Sequence, residues 1–436
     1  MHQRIFFFNS VNFSFILRFC HPFRSLCIGF VRDKTLLSVT NTDKNENTNG
    51  QNKFDKSSMR LRVFNKIHIW KVTMILTLIT FCIWMWNFNR TRDVNKMIIK
   101  TCLSNEHNLQ IYDIEKYIKS LRNDSNDACR KVIQILDQIF DIDPSSRSLK
   151  YSNVGFVERV EQWFDNNETL IEELKNQKIV TIYNKWSRVT SSYNTLRNKR
   201  PKYHQKVEEI LEIVERSAKR CDFCQRFLAE DSLNLSNNKK IIIADNAFKI
   251  QDHNALFIFK KHNPLTLEIE DFEALFEIVE DWFQAVIKDS GKDHTHPALA
   301  WDSLPASGAS QIHAHFHGFL GKNHKLGQFR GLQDAEKAYQ TKFPGSNLIE
   351  NYIDIHIGLG LSLKIGSVMI LTPLDSIKDH EFTILGKSVD QDFVKALFLI
   401  YQTFLFELKI YSWSSAMSWP SPGLFKDYAM LRIGNL

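Results

Sequence analysis

The chain of 436 residues predicts an α+β fold with a mostly antiparallel sheet. Two observations carry this. From Cys221 onward, short β-rich runs alternate with long amphipathic helices, in the order strands, helix, strands, helix, strands, helix. Within them, "QIHAHFHGFL" alternates apolar and polar residues with the period of a strand.

Taken in order, residues 1–58 are expected to form no fold. "MHQRIFFFNSVNFSFILRFCHPFRSLCIGFVR" holds four arginines and no acidic residue, as a mitochondrial presequence does, and "NTDKNENTNGQNKFDKSS" is polar and of low complexity. The alternative is translation from Met59. Residues 67–88, "IHIWKVTMILTLITFCIWMWNF", are apolar except for Lys71 near one end, and about 20 residues suffice to cross a bilayer as a helix. A transmembrane helix is therefore expected there, against the alternative of a buried core helix. The flanking Lys and Arg place the N-terminus on the cytoplasmic side, so the body is expected to be lumenal or extracellular, with a mitochondrial location as the alternative. Sequons at Asn89, Asn123, Asn167 and Asn234 are compatible with a lumenal body. Residues 100–200 read as a helical region: "IYDIEKYIKSLRNDSNDACRKVIQILDQIF" and "FVERVEQWFDNNETLIEELKNQ" space their apolar residues by three and four. "RNKRPKY" is a loop, and "HQKVEEILEIVERSAK" is a further helix.

Beyond it, "KKIIIADN" and "NALFIFKKH" are strands around a polar turn, and "EIEDFEALFEIVEDWFQAVIKDS" is an amphipathic helix. "PALAWDSL" and "QIHAHFHGFL" are the next strands, and "GLQDAEKAYQTKF" is a helix. "IDIHIGLGLSLKIGSVMILTP" holds two strands, and "DQDFVKALFLIYQTFLFELKIY" is a long amphipathic helix.

Net charge is +7, but residues 1–71 carry 12 basic and 4 acidic residues, so the rest is near neutral. That argues against nucleic acid as a partner. Seven cysteines are too few for a disulfide scaffold at this length.

His313, His315 and His317 stand at every second position, so a strand puts all three on one face and Ile312, Ala314 and Phe316 on the other. Three uses follow: a metal site, nucleophilic attack by one ring tuned by its neighbours, or a solvated polar face. Residues i and i+4 of a strand lie about 13 Å apart, at roughly 3.3 Å per residue, so one ion cannot easily hold both outer rings. The three must divide their tasks. The small residues just upstream, Ser307 to Ser310, leave room for backbone N–H groups to meet an anion, and Ser310 adds a hydroxyl.

"SGASQIHAHFHGFL" resembles the histidine-triad motif, and "WDSLPASGASQ" is similar to the segment before it in the branch of dinucleoside-polyphosphate phosphorylases and hexose-1-phosphate uridylyltransferases. "CDFC" resembles that family's zinc-binding CxxC, and "DHNALFIFKKHNPLTLEIEDFEALF" the strand and helix between, with His262 at the family-typical position. The resemblance implies a HIT-like catalytic half over 201–330 and a divergent second half, without its own HxH, over 331–436. It implies that His315 attacks an α-phosphorus to form a nucleotidyl-histidine, while His317 and Ser310 contact phosphate or leaving group. Asp302, Gly308, Ala309 and Gln311 are implied on the substrate side. Cys221, Cys224, His262 and His313 are implied to hold a structural zinc, with His253 as the rival of His262 and a redox pair or disulfide as the rival use of the CxxC. The implied partners are a nucleotide or dinucleoside polyphosphate and a second copy of the chain. Two departures stand out. His317 replaces the glutamine usual in this branch, which suggests hydrolase-like behaviour. Asp302 and Leu304 replace the asparagine and glycine of a "WNSG"-like stretch, and a carboxylate there repels phosphate unless it is protonated or paired. A catalytically weak or inactive nucleotide-binding module is the alternative function.

Overall fold

A computed structural model describes residues 111–435, apart from 200–205, 232, 234, 236, 291–293 and 421–427. These fall in one compact unit, Ile83–Leu436. The segments 1–58 and 67–88 lie outside the described residues. Among the described residues no helix is long and apolar enough to cross a membrane, so the single-pass placement and its lumenal body are corrected and not carried forward.

The first described elements are α1 (Ile114–Arg122) and α2 (Asp127–Ile139), then β1 (Phe140–Ser148), α3 (Val154–Trp163), α4 (Glu168–Lys175), β2 (Asn176–Asn184) and β3 (Thr190–Asn194). The expected purely helical region is thus corrected: it carries a three-stranded antiparallel sheet, β1-β2-β3. Val180 and Ile182 supply the reason. They alternate with Thr181 and Tyr183 at period two and are buried, while the helical periodicity ends at α4.

Helix α5 (Val207–Ala218) and the single turn α6 (Asp222–Gln225) follow, then β4 (Ile241–Asp245), β5 (His253–Phe259), the 22-residue α7 (Ile269–Ser290), β6 (His294–Asp302) and β7 (His315–Lys322). Next come α8 (Gln328–Lys342), α9 (Leu348–Gly358), β8 (Ser362–Ile365), β9 (Val368–Leu371), β10 (Asp379–Gly386), α10 (Gln391–Gln402), β11 (Ser414–Ser418) and β12 (Ala429–Asn435). "IDIHIG" is thus helical rather than a strand. His356 in α9 is fully buried, its Nδ1 against Tyr352 O (2.7 Å) and its Nε2 accepting from Leu374 N (3.1 Å).

Nine strands form one antiparallel sheet in the order β4-β5-β7-β6-β11-β12-β10-β9-β8. Its order mirrors about the β6–β11 pair: β4-β5-α7-β6-β7 on one side corresponds to β9-β10-α10-β11-β12 on the other. One face carries α7 and α10 over the main core. Phe257, Phe259, Phe316 and Trp301 from the first side meet Phe272 and Phe283 of α7; Ile384 and Leu431 from the second meet Phe393 and Leu397 of α10. Trp301 stacks on Phe316 at 4.7 Å between centroids. Each such side chain contributes about 1.5–3 kcal/mol by leaving water.

A second core joins α1, α2 and β2 to α8 and α9, through Ile118, Leu136 and Ile182 against Tyr339 and Ile355. The stretch 328–358 therefore packs with the N-terminal elements, and the part that mirrors the first half starts only after it.

Gly318 shows how tightly β7 sits in the main core. A Cβ there would lie 2.5 Å from Cε2 of Phe257, a ring that is itself fully buried. Gly318→Ala is expected to cost about 1–3 kcal/mol, read as a lower denaturant midpoint at unchanged m-value.

Candidate metal centre and active site

Four ligand atoms converge where α6, the end of β5 and the start of β7 meet. They belong to Cys221, Cys224, His262 and His313, and all lie within 4.8 Å of one another. Cys221 caps the turn α6, and its Sγ accepts from Cys224 N (3.4 Å), which brings both sulfurs to one side. The turn closes at Arg226 in the left-handed region, φ 63°. His262 follows β5, tied by Ala314 N to His262 O (3.2 Å) and Phe259 N to Ala314 O (3.1 Å). Both cysteines are free thiols.

The imidazole partners decide which nitrogens face the centre. His313 Nε2 lies 2.6 Å from Phe259 O, and His262 Nε2 lies 3.1 Å from Val214 O and 2.9 Å from Ser217 Oγ. A carbonyl only accepts, so both Nε2 atoms carry the proton and donate. Both Nδ1 atoms are then lone pairs, and they face each other at 3.2 Å. Two lone pairs at that distance repel unless a cation lies between. The other spacings are 3.3 Å from Cys221 Sγ to His313 Nδ1, and 3.4 Å from Cys224 Sγ to each Nδ1. A tetrahedral zinc with bonds of about 2.3 Å to sulfur and about 2.0–2.1 Å to nitrogen needs S···N of about 3.5 Å and N···N of about 3.3 Å. The four residues fit a metal with no open position. His253 is not among them: its ring lies against His294 at 5.0 Å.

Strand β7 begins at His315, four residues later than the expected strand, which opened at Gln311, and His313 sits just before it. His315 is 5% exposed. Its Nδ1 lies 2.7 Å from His313 O, so Nδ1–H donates and the lone pair is on Nε2. Burial, and next the neighbouring His317, lower its pKa to about 4 against that hydrogen bond and the Asp302 carboxylate, which raise it. His317 is half-buried, its ring 5.0 Å from that of His315, and burial lowers its pKa too. The ring of Phe223, from α6, stands edge-on to both His313 (5.7 Å) and His315 (5.2 Å).

The three rings therefore do not share one environment. His313 turns to the cysteines, while His315 and His317 lie together beyond it.

The upstream loop differs from its expected use. Pro305–Ser307 form a 3₁₀ turn closed by Gly308 at φ 103°, a conformation that suits glycine. The N–H groups of Ser307, Gly308 and Ala309 donate to Leu304 O, Pro305 O and Leu304 O. They are committed to the turn rather than turned to an anion. Ser310 is exposed, Ala309 is buried, and Gln311 Nε2 donates to Asp222 Oδ2 (3.4 Å). Ala300 pairs with His317, and the register carries Asp302 toward His315 at the end of the strand pair.

Sequence reasoning missed Phe223, Ser217 and Asn246, whose Nδ2 lies 3.5 Å from His317 Nδ1. Neither spacing nor residue type marks them, since they reach the site only through the fold. At the mirrored place in the second half, Arg432 lies opposite Ala416 and pairs with the buried Glu381 (Nε to Oε1 2.5 Å).

No family model and no curated protein matches the chain. Solved structures do. A GalT-like protein from Arabidopsis thaliana aligns at 13% identity over 50% of this chain and 82% of its own, with a TM-score of 0.41. An ADP-glucose phosphorylase from the same plant, with bound ADP-glucose, aligns at 13% identity over 57% and 86%, TM-score 0.44. A yeast Ap4A phosphorylase in complex with AMP aligns at 11% identity over 63% and 78%, TM-score 0.31. At TM-scores below 0.5 such likenesses decide nothing about chemistry, which the site's own atoms must carry.

Proposed function

We propose that this chain is a histidine-triad nucleotidyl transferase or hydrolase built of two HIT-like halves, the second divergent, with a structural zinc at Cys221, Cys224, His262 and His313. The observation that carries the reading is the hydrogen bond from His315 Nδ1 to His313 O, which leaves a neutral Nε2 lone pair on a rigid strand. That lone pair forms a bond to the α-phosphorus of a nucleotide conjugate as the bond from phosphorus to the leaving group breaks. His317, its ring 5.0 Å from that of His315, donates a proton to the departing oxygen. Water or an acceptor phosphate then attacks the same phosphorus and gives up a proton that restores His317, the N–P bond breaks, and Nε2 regains its lone pair. Ser310 contacts a non-bridging oxygen. A bound zinc supplies no step: it fixes the chain at His313, whose carbonyl holds the nucleophile's ring.

Incubation with an α-labelled dinucleoside polyphosphate and denaturing quench tests this. Label on the protein, lost in acid and kept in alkali as a phosphoramidate is, is the expected result. Turnover with no label at any time point overturns the intermediate. A second reading, a zinc-stabilised nucleotide-binding module without turnover, is favoured by Asp302, the carboxylate near His315. It predicts saturable nucleotide binding with neither label nor product.

A further inference from the structure

A lysine from the second half of the sheet ends one strand away from Asp302 of the first. Asp302, Ser414 and Gly434 stand side by side on β6, β11 and β12. Lys378, which precedes β10, lies across Gly434: a Cβ on that glycine would come 2.9 Å from Lys378 Cβ and 3.3 Å from its Cδ. The bare backbone is what lets the lysine stem cross β12. Lys378 Nζ then donates to Ser414 O at 3.3 Å, one strand from Asp302. The loop around Lys378 is fixed from behind, because Glu381 Oε2 accepts from Lys378 N (3.0 Å) and Ile377 N (2.7 Å), and its other oxygen is held by Arg432. On the far side, Asp302 Oδ2 lies 3.7 Å from where a Cβ of Gly308 would be, so the carboxylate sits under the loop that leads to Ser310. Burial lowers the pKa of Lys378, and the Asp302 carboxylate is the largest cause acting against that.

We infer that Lys378 is a positioning residue for the first half's site, pairing with Asp302 across the two halves so that a phosphorylated ligand meets no net negative charge beside His315. The charges of Glu381 and Arg432 cancel each other, which leaves Lys378 to balance Asp302. The phosphorylated ligand rests on the nucleotide reading above; the pair itself does not.

Four variants test it at low ionic strength: Lys378→Met, Lys378→Arg, Asp302→Asn and the double Asp302→Asn with Lys378→Met. Calorimetry with ADP reads the site, and melting temperature reads the pair. Lys378→Met is expected to weaken ADP about tenfold, since the carboxylate is left uncompensated. Lys378→Arg is expected to keep affinity, Asp302→Asn to tighten it, and the double variant to return within about threefold of the parent. The two single losses in melting temperature are expected to exceed that of the double variant. ADP affinity unchanged in Lys378→Met would overturn the role at the site. Strictly additive melting temperatures would overturn the pair. If the parent does not bind ADP while the melting temperatures still couple, the pair stands and the nucleotide reading is what fails.

Discussion

Replacing His315 by alanine is expected to abolish labelling of the protein and to lower turnover by about 10⁴-fold or more, the scale on which loss of a covalent nucleophile is felt. The fold should survive. His315 faces away from the main core, which is filled on the other side of β7 by Phe316 and Leu320, and its own packing is against Phe223 and His317. His315→Ala should therefore keep its metal content and melt within a few degrees of the parent. His317→Ala makes the useful contrast. In the proposed reaction His317 assists only the leaving group, so label should still accumulate, but more slowly, by the 10²–10⁴-fold typical of a lost general acid. Time courses by rapid quench with both variants separate the two roles. If His315→Ala labels as the parent does, the nucleophile is elsewhere. If His317→Ala is as dead as His315→Ala at every pH, the two rings act as one unit and the assignment between them falls.

What could be read before any coordinates followed physical range. Strand periodicity predicts His315 and His317 on one face, and in β7 their rings do lie 5.0 Å apart; His313 was expected in the same strand but precedes it, and the alternation is a local property of a few residues. Helix α7 was legible because 22 residues hold one apolar stripe. The elements that were missed are those whose apolar residues are few or whose partners are distant. Strand β11, "SSAMS", is hydrophobic at two positions only and owes its place to pairing with β6 and β12. Strand β12 has Arg432 on the face where β7 has His317. Its buried partner Glu381 lies 51 residues away in sequence, so nothing near either residue announces an ion pair. The same holds for Lys378, whose stem crosses β12 at Gly434 to reach Ser414 O, one strand from Asp302. The upstream loop failed differently. Its small residues were recognised, but their backbone donors close a 3₁₀ turn, and residue size alone does not say where an N–H points.

The metal centre yields the second large effect. Cys221→Ser with Cys224→Ser is expected to lose the ion and to lower the melting temperature by about 10 °C or more. The reasoning begins with the two Nδ1 lone pairs that face each other at 3.2 Å. A zinc held by Cys221, Cys224, His262 and His313, as proposed, would relieve that repulsion. With both thiolates gone, the two imidazoles alone cannot hold it, and His262 or His313 must rotate or take up a proton. Rotation breaks the hydrogen bonds of His313 Nε2 to Phe259 O and of His262 Nε2 to Val214 O, which tie the segment before β7 to the end of β5 and the segment after β5 to α5. The segment before β7 then shifts at His313, whose carbonyl orients His315. Labelling should fall with metal content even though every residue of the reaction is intact. Metal analysis, melting temperature and labelling on the same preparations check this. One zinc per chain in the parent, removed by chelator with a parallel loss of all three signals and restored by zinc, is the expected pattern. Zinc retained at full stoichiometry in the double variant, or labelling that stays at the parent rate once zinc is gone, would break the link from the cysteines through His313 to the nucleophile.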